Sequence, residues 1–94
     1  RRRFPGSKEA STAAFTLGRM AFDQRARYAD AARWFAVYLA EQPDGPLMGD
    51  ARGRLLEAHQ HLGNTAAARR EAEGYLRRFP DGPYADQARR ILAQ

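Results

Sequence analysis

The sequence contains no cysteine. Disulfide bonds, thiolate metal sites and a cysteine nucleophile are therefore excluded. This absence leaves the compartment open, because a domain without cysteine is compatible with oxidising and with reducing surroundings. The two histidines, His59 and His61, stand two residues apart, so on a helix they point in different directions and do not share a metal ion. We therefore expect neither a metal site nor another cofactor.

Long apolar runs are also missing. No stretch approaches the roughly 20 apolar residues that a membrane span requires, so we predict no span in this segment. No stretch alternates polar and apolar residues with a period of two, and we predict no β-strand. The chain opens on three arginines rather than on a methionine or a signal sequence. We interpret it as a fragment of a longer protein.

Patterns that carry catalysis are scarce as well. The glycines of the stretch GDARGRLLE lack the Lys-Ser or Lys-Thr pair of a phosphate-binding loop. No serine or threonine stands at a recognised spacing from a histidine, and no pair of carboxylates indicates acid–base chemistry. We predict that the chain is not an enzyme and has no catalytic residues.

The net charge of +5 is concentrated at one end of the chain. Arg1, Arg2 and Arg3 supply three of these charges, and 13 basic residues against 11 acidic ones remain beyond them. A nearly balanced set of charges is typical of a solvated mixed surface rather than of a phosphate-binding patch. We therefore do not expect the chain to bind nucleic acid.

A proline repeats with a nearly constant spacing along the chain. Pro5, Pro43 and Pro80 are separated by 38 and 37 residues, which is in the range of helical-pair repeats. Small and large apolar residues recur at fixed distances after each proline. They are Ala13, Ala51 and Ala88, and then Leu17, Leu55 and Leu92. The sequence therefore predicts an all-α array with units of about 7–43 and 44–80 and a terminal helix over 84–94.

Each predicted helix has an apolar stripe of its own. The five stripes are Ala10, Ala13, Leu17 and Ala21; Tyr28, Ala31, Phe35 and Leu39; Ala51, Leu55, His59 and Leu62; Ala68, Ala72, Leu76 and Phe79; and Tyr84, Ala88 and Leu92. Ser7 and Thr65 are predicted N-caps, and the Gly63-Asn64 pair predicts the end of the third helix. Residues 1–6 are predicted to be the tail of a preceding unit.

These residues resemble the tetratricopeptide repeat (TPR) family. The matches are LGRMAF (residues 17–22), Ala31, Phe35 and the closing Pro43, whereas His59 and Ala72 depart from the family's aromatic positions. The resemblance implies a right-handed α-solenoid of antiparallel helix pairs that binds other proteins. The phrase FPDGPYADQA is similar to junctions in bacterial envelope-associated TPR proteins, which implies a periplasmic or cell-envelope location, with the cytoplasm as the alternative.

In the TPR family the first helix of each pair lines a concave groove, and the resemblance implies the same here. Five residues that the predicted stripes leave free form the predicted partner-binding groove: Phe15, Arg19, Phe22, Arg54 and Glu57. Arginine next to phenylalanine suits an acidic and hydrophobic peptide, through paired hydrogen bonds to carboxylates and through apolar pockets. The alternative for Phe15 and Phe22 is burial beneath an upstream unit.

Two functions are favoured at this point, ahead of nucleic-acid binding through the arginines as a third. The first is a scaffold module that binds a protein or peptide, whose identity the sequence does not specify. The second is a structural spacer or a self-association repeat that forms homo-oligomers within a larger envelope protein.

Overall fold

Five helices make up residues 7–94, the part of the chain that this computed structural model describes, with the side chain of Arg25 left aside. They are α1 (Lys8–Arg25), α2 (Tyr28–Glu41), α3 (Met48–Leu62), α4 (Thr65–Arg78) and α5 (Ala85–Ala93). The described residues contain no strand, so the predicted all-α class is confirmed. The predicted tail of a preceding unit, residues 1–6, lies outside the described residues.

Each helix packs chiefly against the next one in sequence, and α1 also touches α3. The described residues extend over 48 × 27 × 19 Å, an elongated shape that follows from this sequential packing. None of the helices in residues 7–94 has the length and the apolar character to cross a membrane.

The helix ends agree with the sequence at most positions. The Ser7 side chain accepts a hydrogen bond from the Ala10 N–H at 3.1 Å and caps α1 as predicted. Gly63 ends α3 with a left-handed φ of 75°, which glycine adopts without strain. The predicted N-cap at Thr65 is wrong. The turn at Gly63 allows α4 to begin one residue earlier, so Thr65 is already helical and Asn64 is the cap residue.

Two apolar clusters form the core. The first joins α1, α2 and α3, and the second joins α3, α4 and α5. The buried residues of the first are Phe15, Ala31, Ala32, Phe35, Tyr38, Ala51, Leu55 and Ala58; those of the second are Leu56, Ala68, Ala72, Tyr75, Ala85, Ala88 and Ile91. Because neighbouring clusters share α3, the burial of each helix pair depends on the next pair.

The connection between helix pairs is built twice in the same way. The buried Tyr38 hydroxyl accepts a hydrogen bond from the backbone N–H of Leu47 at 3.0 Å. The buried Tyr75 hydroxyl accepts the corresponding bond from the N–H of Tyr84 at 3.2 Å. The two donors lie immediately before α3 and α5, where a helix has backbone N–H groups without helical partners. A tyrosine therefore fixes each turn to the preceding helix.

The apolar stripe predicted for α1 is wrong, because among residues 7–94 a different side of this helix is buried. Ala13 and Leu17 are exposed, whereas Ser11, Ala14 and Phe15 are buried. The face that packs against α2 is therefore offset from the predicted one. The partly buried Ala10 and Ala21 agree better with the prediction, and Ala21 packs against the first cluster.

The repeat explains this error. Ala51 and Leu55 of α3 pack against α2, and Ala88 of α5 belongs to the cluster that contains α4. The recurring alanine and leucine therefore contact the preceding helix, and none of residues 7–94 covers the equivalent stripe of α1. At the far end of α3, the predicted stripe residue Leu62 is also wrong, because it is 40% exposed.

Candidate partner-binding face

Two helices, α1 and α3, and the residue before α5 contribute side chains to one connected surface. We call it the α1–α3–α5 face, and its residues are Arg19, Phe22 and Asp23 of α1, Asp50, Arg54 and Glu57 of α3, and Tyr84 immediately before α5. Arg19 lies on the same side of α1 as Phe22 and Asp23, because residues three and four apart share a helix face. The same spacing places Glu57 beside Arg54.

Arg54 is the centre of this face. Its Nη1 lies 2.7 Å from Asp23 Oδ1, and its Nε lies 3.3 Å from Asp50 Oδ1. The Tyr84 hydroxyl donates a hydrogen bond to Asp50 Oδ1 at 3.2 Å. The guanidinium carbon also lies 5.6 Å from the centre of the Phe22 ring, a cation–π distance. These contacts connect α1, α3 and the start of α5.

The charges of this network determine its protonation. Burial lowers the pKa of Arg54, but the hydrogen bond to Asp23 and the negative charges of Asp50 and Asp23 raise it by more, so the guanidinium stays charged. Burial raises the pKa of Tyr84, and the charge of Asp50 adds to this, so the value reaches about 12. Tyr84 is therefore a neutral phenol at physiological pH and can donate its hydrogen to Asp50.

Phe15 does not belong to this face, and its predicted place in a groove is wrong. Its side chain is 6% exposed and packs edge-on against Phe35 and Tyr38, at ring-centre distances of 5.5 and 5.7 Å. The second helix of its own pair buries it, so the alternative of burial by an upstream unit is also wrong for Phe15. The Phe15 ring fills space between α1 and α2.

Phe22 is half-buried by aromatic neighbours from within the described chain. Its ring meets Tyr28 edge-on at 5.3 Å, and Tyr28 stacks in parallel on His61 at 4.1 Å. This aromatic group connects the end of α1 with the start of α2 and the end of α3. Phe22 therefore offers part of its ring, rather than a whole free side chain, to a partner.

Arg19 and Glu57 are the predicted site residues with the fewest contacts. Arg19 is exposed and forms no ion pair or hydrogen bond with another described residue. Glu57 is half-buried, and its negative charge contributes to the raised pKa of Tyr84. Both side chains are available for contact with a second molecule.

A pocket of about 350 Å³ borders the face at its α5 end. Its lining residues are Gly49, Asp50, Tyr75, Phe79, Pro83 and Tyr84. Asp50 and Tyr84 belong to both the pocket and the face, so the two surfaces are continuous. The volume is at the small end of the range for ligand sites and fits one side chain of a partner.

Glycine keeps the region around Tyr84 open. A methyl group at Gly53 would collide with the Tyr84 ring, so only glycine allows this ring to lie against α3. A methyl group at Gly49 would lie 3.2 Å from the tip of the Phe79 ring, inside the pocket. No group of three or more histidine, aspartate or glutamate side chains in residues 7–94 could hold a metal ion.

Sequence reasoning did not find Asp23, Tyr75, Phe79 or Tyr84 as site residues. A signal for two of them was present. The letters PDGP occur at 43–46 and again at 80–83, and a tyrosine stands five residues before each copy. Comparing these copies would have placed Tyr75 and the turn before α5 in equivalent positions to Tyr38 and the turn before α3.

Searches of protein-family models, of curated proteins and of solved structures gave no match to this chain.

Proposed function

We propose that the chain is a TPR-like helical array and a non-enzymatic interaction module that binds a segment of another protein on the α1–α3–α5 face. The observation that carries the proposal is the continuity of this face. Contacts run from Asp23 of α1 through Arg54 and Asp50 of α3 to Tyr84 at the start of α5. They end at an open pocket. A fixed polar surface beside an aromatic pocket suits an extended segment or a helix.

The TPR assignment within this proposal is supported by the repeated architecture. The two tyrosine-fixed turns, the proline period and the recurring alanine and leucine all follow one repeat of about 37 residues. A methyl group at Gly18 would meet the Phe35 ring, so the LGRMAF glycine allows close packing of α1 on α2. We infer antiparallel pairs stacked in a right-handed solenoid, with the α1–α3–α5 face on the concave side.

A selection of random displayed peptides on residues 1–94 tests the proposal. Glu57→Arg reverses a charge on the face, and Glu73→Arg makes the same change at an exposed position of α4. We expect selected peptides to lose about ten-fold or more in affinity for Glu57→Arg and to bind Glu73→Arg as they bind wild type. Equal binding to both variants would show that the face is not the site.

The second candidate function is self-association, and the uncovered stripe of α1 favours it. Leu17 is 43% exposed and Met20 is 45% exposed, three residues apart on one helix side. Exposed apolar stripes of this kind bury themselves against another helix when one is available. Sedimentation at increasing concentration distinguishes the functions. A molecular mass that rises with concentration for wild type, and stays that of a monomer for Leu17→Arg, would favour the spacer or homo-oligomer.

A further inference from the structure

The partner expected from sequence does not match the charges found on the face. Arg54 was expected to pair with acidic side chains of a peptide, but Asp23 and Asp50 of the same chain already occupy it. Asp23 and Asp50 both bond to this guanidinium, and Glu57 adds a third negative charge to the face, where it acts on Tyr84. The face therefore presents more negative than positive charge at its centre, although the whole chain is basic.

Asp50 is the carboxylate among the residues that line the pocket. The shortest contact of Arg54 is to Asp23 at 2.7 Å, whereas both contacts to Asp50 measure 3.3 Å. The Asp50 side chain is 42% exposed, so its oxygens can accept further hydrogen bonds. Asp50 also lies in the first turn of α3, where the helix dipole stabilises a negative charge.

The remaining walls of the pocket are mainly aromatic. The Tyr75 ring lies 5.1 Å from Phe79 and 5.8 Å from Tyr84, centre to centre. Burial raises the pKa of Tyr84, and the negative charge of the nearby Asp50 adds to this. Aromatic faces and a carboxylate attract the same kind of ligand, a flat or compact cation.

We propose that this pocket binds the side chain of an arginine from the partner segment, with its guanidinium against the aromatic rings and bonded to Asp50. This inference rests on the proposed function and adds the chemistry of the partner. The molecule contains its own example, since the guanidinium of Arg54 lies over the Phe22 ring and bonds to Asp50 and Asp23. Arginine suits the site better than lysine, because a planar guanidinium stacks on rings and forms two parallel bonds to a carboxylate.

The test is a titration of ¹⁵N-labelled residues 1–94 followed by NMR. The probes are N-acetyl-arginine amide, its uncharged isostere N-acetyl-citrulline amide, and N-acetyl-leucine amide, at constant ionic strength. We expect the arginine probe to shift the amides of Gly49 and Tyr84 saturably. The citrulline probe should bind these residues about ten-fold more weakly, because it keeps the shape and loses the charge.

Variants separate charge from shape. Asp50→Asn should lower the affinity for the arginine probe about five-fold. Asp86→Asn removes a charge from the first turn of α5 and should leave this affinity unchanged. Gly49→Leu fills the pocket without changing charge and should abolish the shifts. The spectra of the free variants show whether each one is folded.

Two results would overturn the inference. One is a citrulline or leucine probe that binds at Gly49 and Tyr84 as well as the arginine probe does. The other is an arginine probe that shifts neither amide, or that binds Asp50→Asn as it binds wild type. Either result leaves the peptide selection with Glu57→Arg to decide the proposed function separately.

Discussion

At the scale of the residue, the surroundings of a charge decide which partner it can take. The sequence identified Arg54 as a groove residue, and the structure does place it on the α1–α3–α5 face. Its bond to Asp23 could not be predicted, because the two residues are 31 positions apart along the chain, whereas the bond to Asp50 spans one helical turn. A single arginine in a sequence does not show whether its charge is free or already paired, and this difference changes the partner that we propose for the site.

Tyr84 gives a prediction at this scale. Its pKa of about 12 in the folded chain is above the usual 10, so folding keeps the phenol protonated. The stability that this contributes is complete below pH 10 and is lost as the pH rises from 10 towards about 12. Subtracting the tyrosinate titration of Tyr84→Phe from that of wild type should leave a component with a midpoint near 12. A midpoint near 10 would contradict the buried contact with Asp50.

At the scale of the element, periodicity predicted the helices well and their contacts less well. The stripes of α2 and α4 were placed correctly, because Ala31, Phe35, Ala68 and Ala72 are buried as expected. The stripe of α1 was misassigned, because α1 has two apolar sides, one with the buried Ala14 and Phe15 and one with the exposed Leu17 and Met20. A period of 3.6 residues identifies each side, but it does not say which of the two neighbouring helices covers it. Phe15 was placed in a groove for this reason.

Leu17 and Leu55 test this account as a matched pair. They occupy equivalent positions of the repeat, but Leu17 is 43% exposed and Leu55 is 4% exposed. Leu55→Arg buries an unpaired charge and should lower the free energy of unfolding by about 4 kcal/mol or more. Leu17→Arg should change it by about 0.5 kcal/mol at most, which urea unfolding measures. A similar loss in both variants would show that Leu17 is covered in solution.

At the scale of the whole molecule, sequential packing explains how so short a chain presents a large surface. Each helix contacts its sequence neighbours, so the array extends to 48 Å instead of closing into a ball. The proline period predicted this arrangement of elements. It did not predict the pocket. The pocket forms where Phe79 of one helix pair meets Tyr84 of the next, beside Gly49, which has no side chain to fill the space.

The most direct test of the central claim is to map a bound peptide on the molecule. The strongest peptide from the display selection would be added to ¹⁵N-labelled residues 1–94, and the amide shifts would be followed. The account predicts the largest shifts at Asp50, Arg54, Glu57 and Tyr84, in α3 and at the start of α5. Shifts confined to exposed residues of α2 and α4, such as Arg33 and Glu73, would contradict binding on the α1–α3–α5 face.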